Sequence, residues 1–82
     1  MELNSLKKII KYRSTYSGTK ETDILYKKYF INNLNNLDKN ELNLLKLLFD
    51  IYSDSEIYDI LTNKIKVNKE FKNLFEKILK FK

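Results

Sequence analysis

Tyr12-Arg13-Ser14-Thr15-Tyr16-Ser17-Gly18-Thr19-Lys20-Glu21-Thr22-Asp23 holds the only glycine of an 82-residue chain that has no proline. A helix stops sharply where a residue accepts positive φ or withholds a backbone donor, and glycine takes φ > 0 without steric cost. The segment therefore reads as a sharp joint between two helices. An arginine, a lysine, two carboxylates, two tyrosines and several hydroxyls crowd around it. A helix start needs only a cap, so a cluster this polar marks a surface that meets another molecule.

Outward from the joint, the chain reads as a string of short helices. Before it, Leu6, Ile9, Ile10 and Tyr12/Arg13 recur at helical spacing from Ser5 to Tyr16, with Asn4 or Ser5 as N-cap. After it, a second helix opens at Thr19, with Glu21 and Asp23 in the first turn beside the positive end of the helix dipole. It runs through Ile24, Leu25, Tyr26, Tyr29 and Phe30 to about Asn32. Asn32-Asn33-Leu34-Asn35-Asn36 is the loop candidate, because asparagine side chains compete for backbone hydrogen bonds. Asp38-Lys39-Asn40-Glu41 and Ser53-Asp54-Ser55-Glu56 both have capping-box spacing and start helices three and four. Helix three is apolar on most sides, as suits the centre of a small bundle. Asn63 to Val67 connects to helix five, which Asn68 caps. Its Phe71, Leu74, Phe75, Ile78 and Leu79 form the cleanest amphipathic stripe in the chain. No stretch alternates with period two, and no internal repeat is evident. The expectation is an all-α fold: a small compact bundle of about five short helices, residues 1–82 forming a single domain, with the apolar stripes as its core.

Missing residue types prune the function classes. No cysteine means no disulfide, thiol nucleophile or thiolate metal site. No histidine removes the usual general base near neutral pH and the commonest zinc ligand. The expectation is a protein without a catalytic site or a metal of its own. Apolar runs fall far short of the ~20 residues that span a bilayer, and the first residues read as an integral helix, not a signal sequence. The chain is expected to stay in the compartment where it is made.

The net charge of +5 is unevenly spread. Residues 1–37 carry seven basic and three acidic side chains, residues 38–63 two and six, and residues 64–82 seven and two. The segment charges are therefore +4, −4 and +5. Fifteen of the sixteen basic residues are lysine, alanine is absent, and lysine, asparagine and isoleucine abound. That composition points to an AT-rich coding sequence more than to a phosphate-binding surface, where arginine would concentrate on one face.

Four pieces in this order carry a family resemblance. They are Tyr12-Arg13-Ser14; Gly18-Thr19-Lys20-Glu21 with Asp23; Leu37-Asp38-Lys39-Asn40-Glu41-Leu42; and Asp54-Ser55-Glu56-Ile57-Tyr58-Asp59. Together they resemble the small flavinylation factors of succinate dehydrogenase, the SdhE-type FAD assembly factors of bacteria with mitochondrial counterparts. The match covers residues 6 to about 62. Against the family signature Arg-Gly-x-x-Glu, Gly18 and Glu21 agree while Ser17 replaces the arginine, and Ile60 replaces a tryptophan after Tyr-Asp. The resemblance implies an assembly factor that binds the immature flavoprotein subunit of succinate dehydrogenase, or of the related fumarate reductase, and promotes covalent FAD attachment. FAD then belongs to the partner and is bonded to a partner histidine; none is held stably by this chain. It further implies a free monomer, a bacterial cytoplasmic location (mitochondrial matrix only if a longer precursor exists) and no membrane insertion.

The candidate partner-binding residues are Arg13, Tyr16, Ser17, Gly18, Thr19, Lys20, Glu21 and Asp23. Each also has an ordinary structural role: Gly18 as helix break, Glu21 and Asp23 as first-turn carboxylates, Arg13 as a ligand for helix-end carbonyls, Tyr16 as a half-buried aromatic. Arg13, the only arginine, can make a two-pronged contact that lysine cannot. Asp54, Glu56 and Asp59 read as capping and not as a metal site. The rival reading is a small basic helical nucleic-acid binder with residues 19–32 as recognition helix, or an antitoxin-like regulator. Glu21 and Asp23 at the tip of such a helix would repel phosphates, which weighs against nucleic acid.

Overall fold

The computed structural model describes residues 2–15 and 17–80. Five α-helices follow one another: α1 Leu3–Thr15, α2 Lys20–Tyr29, α3 Lys39–Ile51, α4 Asp54–Leu61 and α5 Lys72–Leu79. Two 3-10 segments, Ile31–Asn36 and Lys69–Phe71, lie between them, and no strand occurs among the described residues. The all-α expectation holds.

The helix starts show how local chemistry and burial share control. Both capping boxes form as their spacing predicts. The Glu41 N–H donates to the Asp38 carboxylate at 2.8 Å and the Asp38 N–H to Glu41 Oε1 at 2.9 Å. Ser53 and Glu56 repeat the exchange at 3.2 and 3.0 Å. Each pair satisfies backbone donors that the helix start leaves open. Three expectations need correction. α1 begins at Leu3, with Asn4 and Ser5 inside it, because the Leu6 N–H already donates to the Glu2 carbonyl at 3.0 Å. α2 ends at Tyr29, and the expected asparagine loop is a 3-10 segment. Asn33 does compete for the backbone: its buried amide donates to the Lys28 and Tyr29 carbonyls at 3.0 and 3.2 Å. Burial of Leu34 and Leu37 draws that segment against the core. Asn68 makes no side-chain cap; the Lys69–Phe71 turn precedes α5 and sinks Phe71 into the interior.

Gly18 is not the only left-handed residue. Asn63 turns the chain after α4 at φ 63°, a conformation asparagine reaches more readily than other side chains. A chain poor in glycine thus breaks a second helix with a residue it has in abundance.

One apolar core joins the helices. Leu6 and Ile10 of α1 meet Leu42, Leu45, Leu48 and Phe49 of α3; Tyr26 of α2, Phe30 at its C-cap and Ile57, Ile60 and Leu61 of α4 close over them; and the α5 stripe completes the interior. Ile60 is buried. The ion pair of Lys77 with Glu41, at 2.8 Å, ties α5 to the first turn of α3. The Cα radius of gyration is 11.5 Å, close to the ~11.7 Å of a compact chain of this length.

Two substitutions test these assignments. Asp38→Ala removes one box and is expected to cost about 1 kcal/mol, seen as a drop in Tm of about 4–8 °C. Ser14 is 1% exposed, and its hydroxyl has no hydrogen-bond partner among the described residues. Ser14→Ala should leave Tm unchanged or raise it, since it removes a buried polar atom that gains nothing.

Candidate functional site

The joint is built by short-range hydrogen bonds around a glycine that conformation alone requires. Gly18 has φ 91°, and a Cβ placed there would meet nothing within 4 Å. Thr19 is the extended N-cap of α2; its hydroxyl accepts from the Thr22 N–H at 3.3 Å and donates to the Thr22 hydroxyl at 2.6 Å. Ser17 fastens the incoming chain: its N–H donates to Asp23 Oδ1 at 3.2 Å, and its hydroxyl also donates to that carboxylate. The Asp23 carboxylate is therefore turned inward and holds the joint closed.

Glu21 is different. It is exposed and makes no hydrogen bond or ion pair among the described residues. With Ser17, Thr19 and Thr22 it forms one wall of an open groove of about 490 Å³. Asp54, Ser55 and Tyr58, from the first turns of α4, form the other wall. Among the described residues Glu21 and Asp54 are the only charged ones lining it, which suits a cationic, hydrogen-bonding surface; the Lys64 ammonium lies 5.5 Å from the centre of the Tyr58 ring. The N-terminal ends of α2 and α4 offset the carboxylate charge only in part.

A buried phenol locks the two walls. Tyr26, on α2, is fully buried and donates its hydroxyl to Asp54 Oδ1 at 2.7 Å. Burial, that hydrogen bond and the Asp54 charge all push the phenol above its ordinary range. Tyr26 also stacks on Phe30 at 5.2 Å and meets Phe49 edge-on at 5.4 Å.

The structure brings Ser17, Thr19 and Glu21 together at the groove, with Gly18 between the first two in the chain but not in its lining. It places Arg13 elsewhere. The guanidinium donates to the Phe49 carbonyl at 2.7 Å and to Asp50 at 3.4 Å, and lies 5.3 Å from the centre of the Phe49 ring. It satisfies a carbonyl in the last turn of α3, where a cation is favoured. Lys20 is exposed and does not line the groove. Tyr16 lies outside the described residues. Sequence reasoning missed Thr22, Asp54, Ser55 and Tyr58 as groove residues. The signal was present only in part: residues 54–59 stood out as a cap and as a family piece, but no spacing links position 22 to position 54.

Tyr26→Phe measures the lock. Loss of one hydrogen bond to a charged group should cost about 1.5–3 kcal/mol at neutral pH. The folded-state pKa is raised, so this residue's contribution is complete below the unfolded value of 10.0 and is lost as pH rises past it. Urea midpoints followed upward through that range should fall more steeply for the wild type than for Tyr26→Phe. Parallel curves would show that the phenol does not hold the groove.

Against known proteins, a family model described as Sdh5, flavinator of succinate dehydrogenase, matches residues 8–82. No curated protein and no solved structure matches the chain significantly.

Proposed function

The chain belongs to the family of flavinators of succinate dehydrogenase, and on that premise we propose that it acts through the groove between the Gly18 joint and α4. The groove docks a basic, polar edge of the immature flavoprotein subunit and promotes covalent attachment of FAD within that subunit. The observation that carries this reading is Glu21: a carboxylate that lines the groove and is used by no other described residue. Asp23, two positions on, is spent on Ser17. Structural need accounts for Asp23 and leaves Glu21 over.

The remaining candidates take distinct roles in this proposal. Gly18, with open space where a side chain would stand, lets the partner's backbone approach closely. Ser17 and Thr19 offer hydroxyls at the rim, and Asp54 adds a second carboxylate in fixed position. Arg13 is a positioning residue that sets the angle of α1 on α3, and it is not free to replace the arginine that Ser17 displaces. Lys20 is left as the cation nearest the joint in sequence.

The protein contributes order, not chemistry. Docking holds the flavoprotein in a closed arrangement, which lowers the cost of bringing its acceptor histidine and flavin together. The carboxylate-lined groove would repel the diphosphate of FAD, so the cofactor stays with the partner. The same carboxylates disfavour a nucleic-acid backbone. The factor acts as a monomer in the bacterial cytoplasm; no helix among the described residues is long and apolar enough to cross a membrane.

Glu21→Ala tests the proposal. Purified apo-flavoprotein is incubated with FAD and either form of the chain, and covalent flavin is read by fluorescence after denaturing electrophoresis. The variant should keep its helical circular dichroism and lose at least tenfold in flavinylation rate and in affinity for the flavoprotein. Wild-type rates with the variant would remove Glu21, and with it the groove, from the mechanism.

A further inference from the structure

A second groove, of about 460 Å³, lies between the C-terminal end of α4 and α5. Its character is opposite to the first. Ile65, Val67, Phe75 and Leu79 make it apolar, and Lys66 and Lys72 are its charged residues. Neither lysine makes a hydrogen bond or ion pair among the described residues. Ile65 is 41% exposed and lines the groove. It is held there because the left-handed Asn63 turns the chain, while the Lys64 and Ile65 N–H groups both donate to the Asp59 carbonyl, at 2.8 and 3.4 Å.

We propose that this groove is a second docking point for the flavoprotein subunit and takes a short amphipathic segment with apolar side chains and flanking carboxylates. The inference rests on the flavoprotein being the partner. Charge selects the occupant: free lysines border an apolar floor within a segment, residues 64–82, that carries seven basic and two acidic side chains. Carboxylates beside apolar anchors complement both features. Nucleic acid would use the lysines and leave the apolar walls wet. A second copy fits worse. A two-fold contact through this groove would set lysines against lysines, and a head-to-tail contact with the acidic groove would not close and would run on as a filament.

The two grooves share one helix. α4 gives Asp54, Ser55 and Tyr58 to the acidic groove and Ile60 to the basic one. The helical rise separates its ends by about 10–12 Å. A partner that fills both meets opposite charges at a fixed spacing, so only one orientation is favourable, and binding at one groove raises the effective concentration at the other.

The experiment measures the affinity of purified flavoprotein subunit for the wild type, for K66E/K72E, for Ile65→Ser and for Glu21→Ala. All four substituted positions are exposed, and circular dichroism checks each fold. K66E/K72E is expected to bind at least tenfold more weakly and Ile65→Ser at least threefold more weakly. Wild-type affinity in both, while Glu21→Ala is weakened, would overturn the second docking point and leave the first groove standing. No binding by the wild type would overturn both readings. Sedimentation of the free wild type as a dimer that K66E/K72E dissolves would make the occupant a second copy, and would equally overturn the proposal.

Discussion

The fold turns on an aromatic cluster that four helices share. Tyr26 of α2 stacks on Phe30 at that helix's C-cap, and the Phe49 ring of α3 stands edge-on to both, at 5.4 and 5.7 Å. Arg13 of α1 lies near that ring and bonds its carbonyl. The Tyr26 hydroxyl reaches across to Asp54 of α4. Stacked and edge-on rings favour particular angles as well as area, so the cluster sets helix orientations that greasy contact alone would leave loose. A protein this small buries only about 60–65% of its extended surface, and directional contacts at its centre matter accordingly.

The candidate groove follows from that arrangement. Because Tyr26 is buried and its hydroxyl must find a partner, Asp54 is held close to the start of α2. The groove between the Gly18 joint and α4 is thus a by-product of satisfying one phenol. Asp23 is drawn into the joint by Ser17, and Arg13 into the end of α3. Glu21 stays on the surface, a first-turn carboxylate of α2 that lines the groove and bonds no other described side chain. The Ser17 N–H and hydroxyl close the turn onto Asp23, both to one carboxylate.

Much of this could be read from the chain. Helix class, the two capping boxes and the α5 stripe are local: each depends on residues three or four apart, a distance that spacing encodes directly. Gly18 as the break after α1 is equally local, being the one residue there with no Cβ to oppose φ 91°. The errors are where local preference met burial. Asparagines 32–36 favour a turn, and they make one, but Leu34 and Leu37 fold it into 3-10 geometry against the core. Asn63 shows that a left-handed break does not need glycine.

The site divides the same way. Composition alone removed thiol and imidazole chemistry, and the joint stood out by its polarity. Which of its charges stay available is a different kind of fact. Arg13 and Asp50, and Tyr26 and Asp54, lie far apart in the chain, and no periodicity relates them. Side chains of one type are made structural or left open by the helix that happens to pack beside them. Glu21 and Asp23, two residues apart on the same first turn, differ for a mixed reason: Ser17 takes the Asp23 carboxylate locally, whereas only the packing of α4 makes Glu21 a groove wall.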